Sequence, residues 1–166
     1  MYLTQKYFSF FSAFLVLTAI FLSDPGKPVA VVSIVILFFS VTTQHLVARY
    51  HYRFSRWIRI LRALQLWLSF LWSVPLVYLL GRWWGPMWLL FLWTPCTAAL
   101  HLNRGKTLAI STLVALTLLG IYAVRGMTSF VGWGQASVHA VFIVFFSLFV
   151  QSLAQLAMRL RDGVPR

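Results

Sequence analysis

The stretch RYHYRFSRWIRILR, residues 49–62, carries five of the fourteen Lys and Arg residues of this 166-residue chain. Apolar runs long enough to cross a bilayer flank it on both sides. Short loops rich in Lys and Arg stay on the cytoplasmic side of a membrane. The stretch therefore predicts a cytoplasmic segment from which a membrane helix leads away in each direction.

The same stretch has an amphipathic pattern. At about 100° per residue, Arg49, Arg53 and Arg56 share one side of a helix, and aromatic and aliphatic residues occupy the other. This pattern predicts an interfacial helix that presents its arginines to anionic headgroups. A topogenic anchor is the simplest role, and a specific headgroup or protein docking site is the alternative. The basic set is Arg49, Arg53, Arg56, Arg59 and Arg62.

Composition points to the same class of protein. Hydrophobic residues make up 61% of the chain and charged residues 10%, and the acids are Asp24 and Asp162 alone. A water-soluble domain of this size needs far more polar surface, so we predict an all-α integral membrane protein that does not bind nucleic acid. Cys96 is the single cysteine, which excludes an internal disulfide and a cysteine metal cluster.

The apolar runs predict six transmembrane helices in one membrane domain. Eleven Lys and Arg residues fall on the predicted inside and three on the outside, so we expect both termini in the cytoplasm. The first run has no small-x-small cleavage site and is expected to be retained. The last helix is long enough to extend into the cytoplasm. The predicted spans are about 7–22, 29–48, 63–80, 87–102, 107–124 and 135–157.

Ionisable residues within these spans are few. No Asp or Glu lies inside any of them, and no His-Glu-x-x-His or Gly-x-Ser-x-Gly motif occurs, so we predict a protein that is not an enzyme. His45 and His101 both lie near the cytoplasmic ends of spans. They are the candidate ligands for a haem or a chlorin, with ordinary interfacial histidines as the alternative. His139 is expected at the opposite depth.

Polar residues near two prolines allow a second kind of site. Ser73, Thr94 and Thr97 lie close to Pro75 and Pro95, where they form either helix-packing contacts or a small polar lining for a ligand.

The end of the sixth span has a heptad-like seam. Apolar residues recur there at spacings of four, three and four, with glutamines and arginines between them. This pattern is typical of an amphipathic exit from the membrane or of an output helix that pairs with its copy in a dimer. The seam comprises Phe149, Leu153, Leu156 and Leu160.

Two segments carry a family resemblance. Residues 85–100, GPMWLLFLWTPCTAAL, precede Asn103-Arg104-Gly105, and residues 157–162 read AMRLRD. These segments resemble the multi-span input modules at the N-termini of bacterial sensor histidine kinases. The shared features are a Trp- and Leu-rich run that ends at a proline, a basic Arg-Gly turn and a basic helix that leaves the membrane. The family's phosphoacceptor helix and ATP-binding domain do not follow within these residues, so the resemblance implies an input module without kinase activity, a truncated chain or a different small membrane protein.

These observations predict a sensory or regulatory module in a bacterial inner membrane. It would pass a signal through its last helix to a cytoplasmic partner, and its expected contacts are anionic lipid, other membrane subunits or a second copy. One alternative is an accessory subunit of a larger membrane complex that holds a haem or pigment. Another is the substrate-binding subunit of a small-solute transporter.

Overall fold

The computed structural model describes residues 2–51 and 58–162, with side chains described from 10–43, 45–46, 64 and 66–160. Within these ranges the chain is helical and contains no strand, which confirms the all-α prediction. The helices are α1 (Tyr2–Ser23), α2 (Lys27–His51), α3 (Ile58–Leu80), a 3₁₀ helix (Gly85–Leu92), α4 (Trp93–His101), α5 (Arg104–Val124) and α6 (Phe130–Asp162).

The chain forms two compact units that divide between Leu90 and Phe91. In the first unit α2 packs against both α1 and α3. In the second unit α4, α5 and α6 pack pairwise, and the α5–α6 contact is the most extensive. Each unit is therefore a three-helix assembly.

The predicted turn after the first span is present. Asp24 and Gly26 both adopt positive φ angles, 43° and 68°, between the end of α1 and the start of α2. Such angles suit glycine and are tolerated by aspartate, which explains why a short turn suffices here. Ser23 closes α1 by donating its hydroxyl to the carbonyl of Ala19 at 2.6 Å.

The segment predicted as a span at 87–102 contains two kinds of helix. Gly85–Leu92 is a 3₁₀ helix, and the α-helical part, Trp93–His101, has only nine residues. Pro95 explains the break, because proline has no N–H to donate to the carbonyl four residues earlier and its ring crowds that carbonyl. Proline is tolerated in the first turn of a helix, and Pro95 lies there in α4.

The predicted start of the last helix was wrong. α6 begins at Phe130, and Gly132 and Gly134, which had been assigned to a loop, lie inside it. The hydroxyl of Ser129 accepts a hydrogen bond from the backbone N–H of Gly132 at 3.1 Å. This is the geometry of a helix N-cap, so Ser129 sets the first residue of α6.

The Ser129→Ala variant is expected to lower the free energy of unfolding by about 1 kcal/mol, because an orphan N–H of the first turn loses its acceptor. Titration of the reconstituted protein with a denaturing detergent, followed by circular dichroism, measures this loss. Thr128→Ala changes an exposed neighbour and serves as the control. Equal losses in the two variants would show that Ser129 does not cap α6.

The basic segment lies partly outside the described residues. α2 continues to His51 and α3 begins at Ile58, so Arg49, Arg59 and Arg62 belong to these two helices. Arg53 and Arg56 fall in the undescribed stretch 52–57, and the side chains of the other three arginines are not described. The interfacial helix therefore stays a prediction.

Both units place small or hydroxyl-bearing residues inside and large apolar residues outside. Among the phenylalanines whose side chains are described, Phe91 alone is buried. Aliphatic residues such as Leu118 and Ile143 complete the interiors. Buried small or polar residues include Ser12, Ala19, Ser33, Ser40, Ser69, Ser73, Thr94, Ala98, Thr107, Ser111, Ala115, Ala136, Ala140, Ser147 and Gln151. Exposed large residues include Phe10, Phe14, Phe21, Phe38, Phe39, Leu71, Leu116, Phe142, Phe145 and Phe149.

In the described part of the chain, two helices are long and apolar enough to cross a membrane, Arg104–Val124 and Phe130–Leu160. Shorter apolar segments occupy Phe10–Ser23, Lys27–Thr43 and Leu66–Leu80.

Candidate functional site

Two side-chain hydrogen bonds join α6 to its neighbours at different heights. The first links α6 to the last turn of α5, where Tyr122 Oη lies 3.2 Å from His139 Nδ1. The two rings also contact each other, with centroids 6.3 Å apart and planes inclined by 33°. Which atom donates depends on the histidine tautomer. The pair fixes the α5–α6 hairpin close to its turn.

The second bond links α6 to the turn between α4 and α5. Gln151 Nε2 donates to the backbone carbonyl of Leu102 at 3.2 Å. Leu102 caps the C-terminus of α4 with extended backbone angles, φ −115° and ψ 166°. The carbonyls at a helix end lack partners within the helix, and the glutamine amide supplies one. Gln151 is only 3% exposed, so this bond is formed away from solvent.

These contacts set the register of the second unit. α5 runs antiparallel to both neighbours because each connection is a short turn, and α4 and α6 therefore run in the same direction. Ser147, one helical turn before Gln151 in α6, is also buried. Buried hydroxyl or amide side chains thus lie on all three helices of the unit.

Three buried oxygen atoms of the second unit have no hydrogen-bond partners among the described residues. They are Thr94 Oγ1, Thr107 Oγ1 and Gln151 Oε1, one on each helix of the unit. The hydroxyls of Ser111 and Ser147 bond instead to carbonyls of their own helices, Leu108 at 3.0 Å and Val144 at 2.8 Å. Unpaired buried oxygens weaken a packed interior, so each of these three positions lowers the stability of the unit.

Two of the polar residues singled out near the prolines bond within their own helices. Ser73 donates to the carbonyl of Ser69 at 2.7 Å within the first unit. Thr97 donates to the carbonyl of Trp93 at 2.9 Å within the second. Both bonds stay within one helix, as expected for hydroxyl groups that pack between helices.

The predicted cofactor ligands belong to different units. His45 lies in α2 and His101 ends α4, and both side chains are exposed. Among the described residues no group of three or more His, Cys, Asp or Glu side chains is placed to hold a metal ion. Ligation of a haem or chlorin by either histidine stays a prediction.

The residues of the predicted seam lie in α6, and its role in output stays a prediction. Its side chains are exposed along a helix of 33 residues that continues to Asp162. The seam residues Phe149, Leu153, Leu156 and Leu160 are all among the exposed large apolar residues.

Sequence reasoning singled out neither Tyr122 nor Gln151 as a functional residue. One signal was available, because an ionisable residue such as His139 inside an apolar helix usually has a polar partner on a neighbouring helix. Finding that partner requires the register of the α5–α6 hairpin, which the five-residue turn alone does not give.

Comparison of the chain with protein-family models, curated proteins and solved structures finds no match.

The Tyr122→Phe variant is expected to weaken the α5–α6 hairpin by about 0.6 kcal/mol, and by no more than about 1.7 kcal/mol, the range for hydrogen bonds between membrane helices. Detergent-induced unfolding of the reconstituted protein provides the measurement. A double-mutant cycle with His139→Ala tests whether the two residues interact. Additive losses would contradict a direct bond between them.

Proposed function

We propose that the chain is a six-span membrane protein that acts as a sensory or regulatory module without enzyme activity of its own. Movement of α6 carries its signal to a partner bound at the cytoplasmic end of that helix. The observation that carries this proposal is the length of α6 and the apolar seam exposed beyond its contact with Leu102.

The distribution of side chains supports a position in the bilayer. Small and hydroxyl-bearing residues face the interiors of both units, and large aromatic and aliphatic residues cover their surfaces. Packing between membrane helices favours small residues, and lipid tails solvate exposed phenylalanines. In water the same surface would be a large aggregation-prone patch.

Helix dimensions support six spans. The helices α1, α2 and α3 contain 22, 25 and 23 residues, and about 20 residues cross a bilayer. The 3₁₀ helix rises by about 2.0 Å per residue, so Gly85–His101 has a summed rise of about 29 Å despite its break. Exposed Arg104 and Lys106 mark one end of α5, and Arg125 follows the other. This spacing matches a bilayer core of about 30 Å.

The length of α6 supports an output role. The helix continues from Gln151 to Asp162, so about 16 Å of it lies beyond the α4–α5 turn. Leu153, Leu156 and Leu160 lie on this extension and are exposed. Arg159 beside them suits the cytoplasmic side of a membrane. An apolar face on a helix outside the bilayer is a surface for a protein partner.

The likeness to the input modules of bacterial sensor kinases agrees with this role and suggests a bacterial inner membrane. In those modules the last membrane helix continues into a signalling helix. The exit sequence Ala157-Met158-Arg159-Leu160 carries the likeness here.

Labelling of single introduced cysteines tests the topology. In a Cys96→Ala background, a membrane-impermeant thiol reagent added outside intact cells should label positions 24, 83 and 126 and leave positions 53, 103 and 155 unlabelled. The second set should react only after the membrane is opened. Labelling of both sets in intact cells, or recovery of the protein in the soluble fraction, would overturn the six-span proposal.

Photo-crosslinking tests the output role in the cells that make the protein. A photoreactive amino acid at Leu156 or Leu160 should give a discrete adduct with a protein, which mass spectrometry identifies. The same probe at Phe145, on the membrane part of α6, serves as the matched control and should give no such adduct. Equal yields from all three positions, or no protein adduct from any, would overturn the output role.

A further inference from the structure

His139 is a titratable residue in the packed part of α6. Its ring is partly buried and bonds to Tyr122 across the α5–α6 hairpin at 3.2 Å. Arg125 follows the last residue of α5, three positions after Tyr122. The α5–α6 turn next to this group lies on the outer side in the proposed topology, where the aqueous phase can supply protons.

The elements packed against α6 provide no carboxylate to balance a charge on His139. α5 contributes Tyr122 and Arg125 at this end, and the titratable side chains of α4 are Cys96 and His101. On α6 itself the next ionisable residue is Arg159, about 30 Å along the helix, followed by Asp162 about 35 Å away. Protonation of His139 therefore adds a positive charge, with no carboxylate on these helices to balance it, to a partly buried site.

We propose that His139 is the input site of the module and that its ligand is the proton. The inference rests on the proposed output role of α6 and names its stimulus. The neutral imidazole can accept the hydroxyl proton of Tyr122 at Nδ1, whereas the imidazolium carries a hydrogen on both nitrogens and can only donate. Uptake of a proton from the outer aqueous phase thus makes Nδ1 the donor to Tyr122 Oη and places a charge in a partly buried part of α6.

Both changes act on the same contact. A charged ring is stabilised by water and destabilised by burial, so protonation favours movement of this part of α6 toward the outer aqueous phase, while Gln151 still ties α6 to the carbonyl of Leu102. If the part of α6 around His139 moves while Gln151 stays in place, the helix tilts about Gln151. The segment that follows Gln151 must then shift as well. That segment carries Leu156 and Leu160, the proposed output surface.

The experiment uses the full chain reconstituted in lipid vesicles, with histidine side chains followed by nuclear magnetic resonance. A spin label at Met158→Cys, in a Cys96→Ala background, reports on the end of α6. Between pH 8 and pH 5 the His139 signal should titrate, and the mobility of the label should change with the same midpoint.

His139→Gln keeps an amide that can bond to Tyr122 and should abolish the pH response of the label. His45→Gln removes an exposed histidine of α2 as the matched control and should leave the response intact. A merely structural role for His139 predicts a changed stability with an unchanged pH profile. The proposal is overturned if His139 stays neutral down to pH 5 or if His139→Gln responds as the parent chain does.

The two proposals fail in different ways. A label that ignores pH while Leu156 and Leu160 still crosslink to a protein removes the proton as the stimulus and leaves the output role standing. A His139 titration that moves the label, without protein adducts at the seam, retains the proton site and removes the output role.

Discussion

The Phe145→Arg variant is expected to lose stable membrane insertion. Phe145 lies near the middle of α6 with 73% of its surface exposed, so in the proposed topology it faces lipid tails. Exchanging phenylalanine for arginine at the centre of a membrane helix costs about 3 kcal/mol, which is roughly a hundredfold in the inserted population. The fraction of protein that stays in alkali-washed membranes measures the loss.

Two variants make this result specific. Phe145→Leu keeps the site apolar and should insert like the parent chain. Gln155→Arg adds the same charge to an exposed position beyond the contact between Gln151 and Leu102, where it should be tolerated. In a water-soluble protein the order would be reversed, because an exposed arginine improves solubility. A folded, soluble Phe145→Arg variant would therefore contradict the membrane assignment.

The number of helical segments was predictable from sequence because their apolar runs are long and separated by turn residues. Asp24-Pro25-Gly26 and Asn103 lie at helix boundaries in the structure. Helix type was less predictable. The length of an apolar run indicates how many residues are buried or in lipid, but it does not indicate whether the backbone forms an α-helix or a 3₁₀ helix. Pro95 changes the backbone hydrogen bonding locally.

The start of α6 shows a related limit. Glycines at 132 and 134 favour a loop by propensity, yet the hydroxyl of Ser129 caps the helix ahead of them. A capping bond worth about 1 kcal/mol offsets much of the helical cost of one glycine, and packing of α6 along α5 supplies the rest. Local propensity thus failed where a cap and tertiary contacts act together.

The candidate site depends on register. The residue types of His139 and Gln151 were visible in sequence, but their partners were not. Tyr122 lies 17 residues from His139, and Leu102 lies 49 residues from Gln151. Only the packing of three helices brings these pairs together, and the bond to Leu102 uses a backbone carbonyl that no side-chain pattern reveals.

The Ala115→Leu variant is expected to destabilise the second unit by about 1–3 kcal/mol. Ala115 is 6% exposed on the face of α5 that packs in the interior of the unit. A small side chain there allows neighbouring helix backbones to approach closely, and three extra carbon atoms must push them apart or adopt strained rotamers. Detergent-induced unfolding of the reconstituted protein measures the loss.

Ala109→Leu provides the matched control, because it makes the same exchange in the same helix at an exposed position. In lipid this larger apolar side chain has a favourable environment, so the variant should be as stable as the parent chain or slightly more stable. The difference between the two variants then measures how closely α5 is packed. If both lose the same stability, the effect comes from helix propensity and the packed face has been misassigned. If Ala109→Leu alone is destabilised, the interior and the lipid-facing surface of α5 are interchanged.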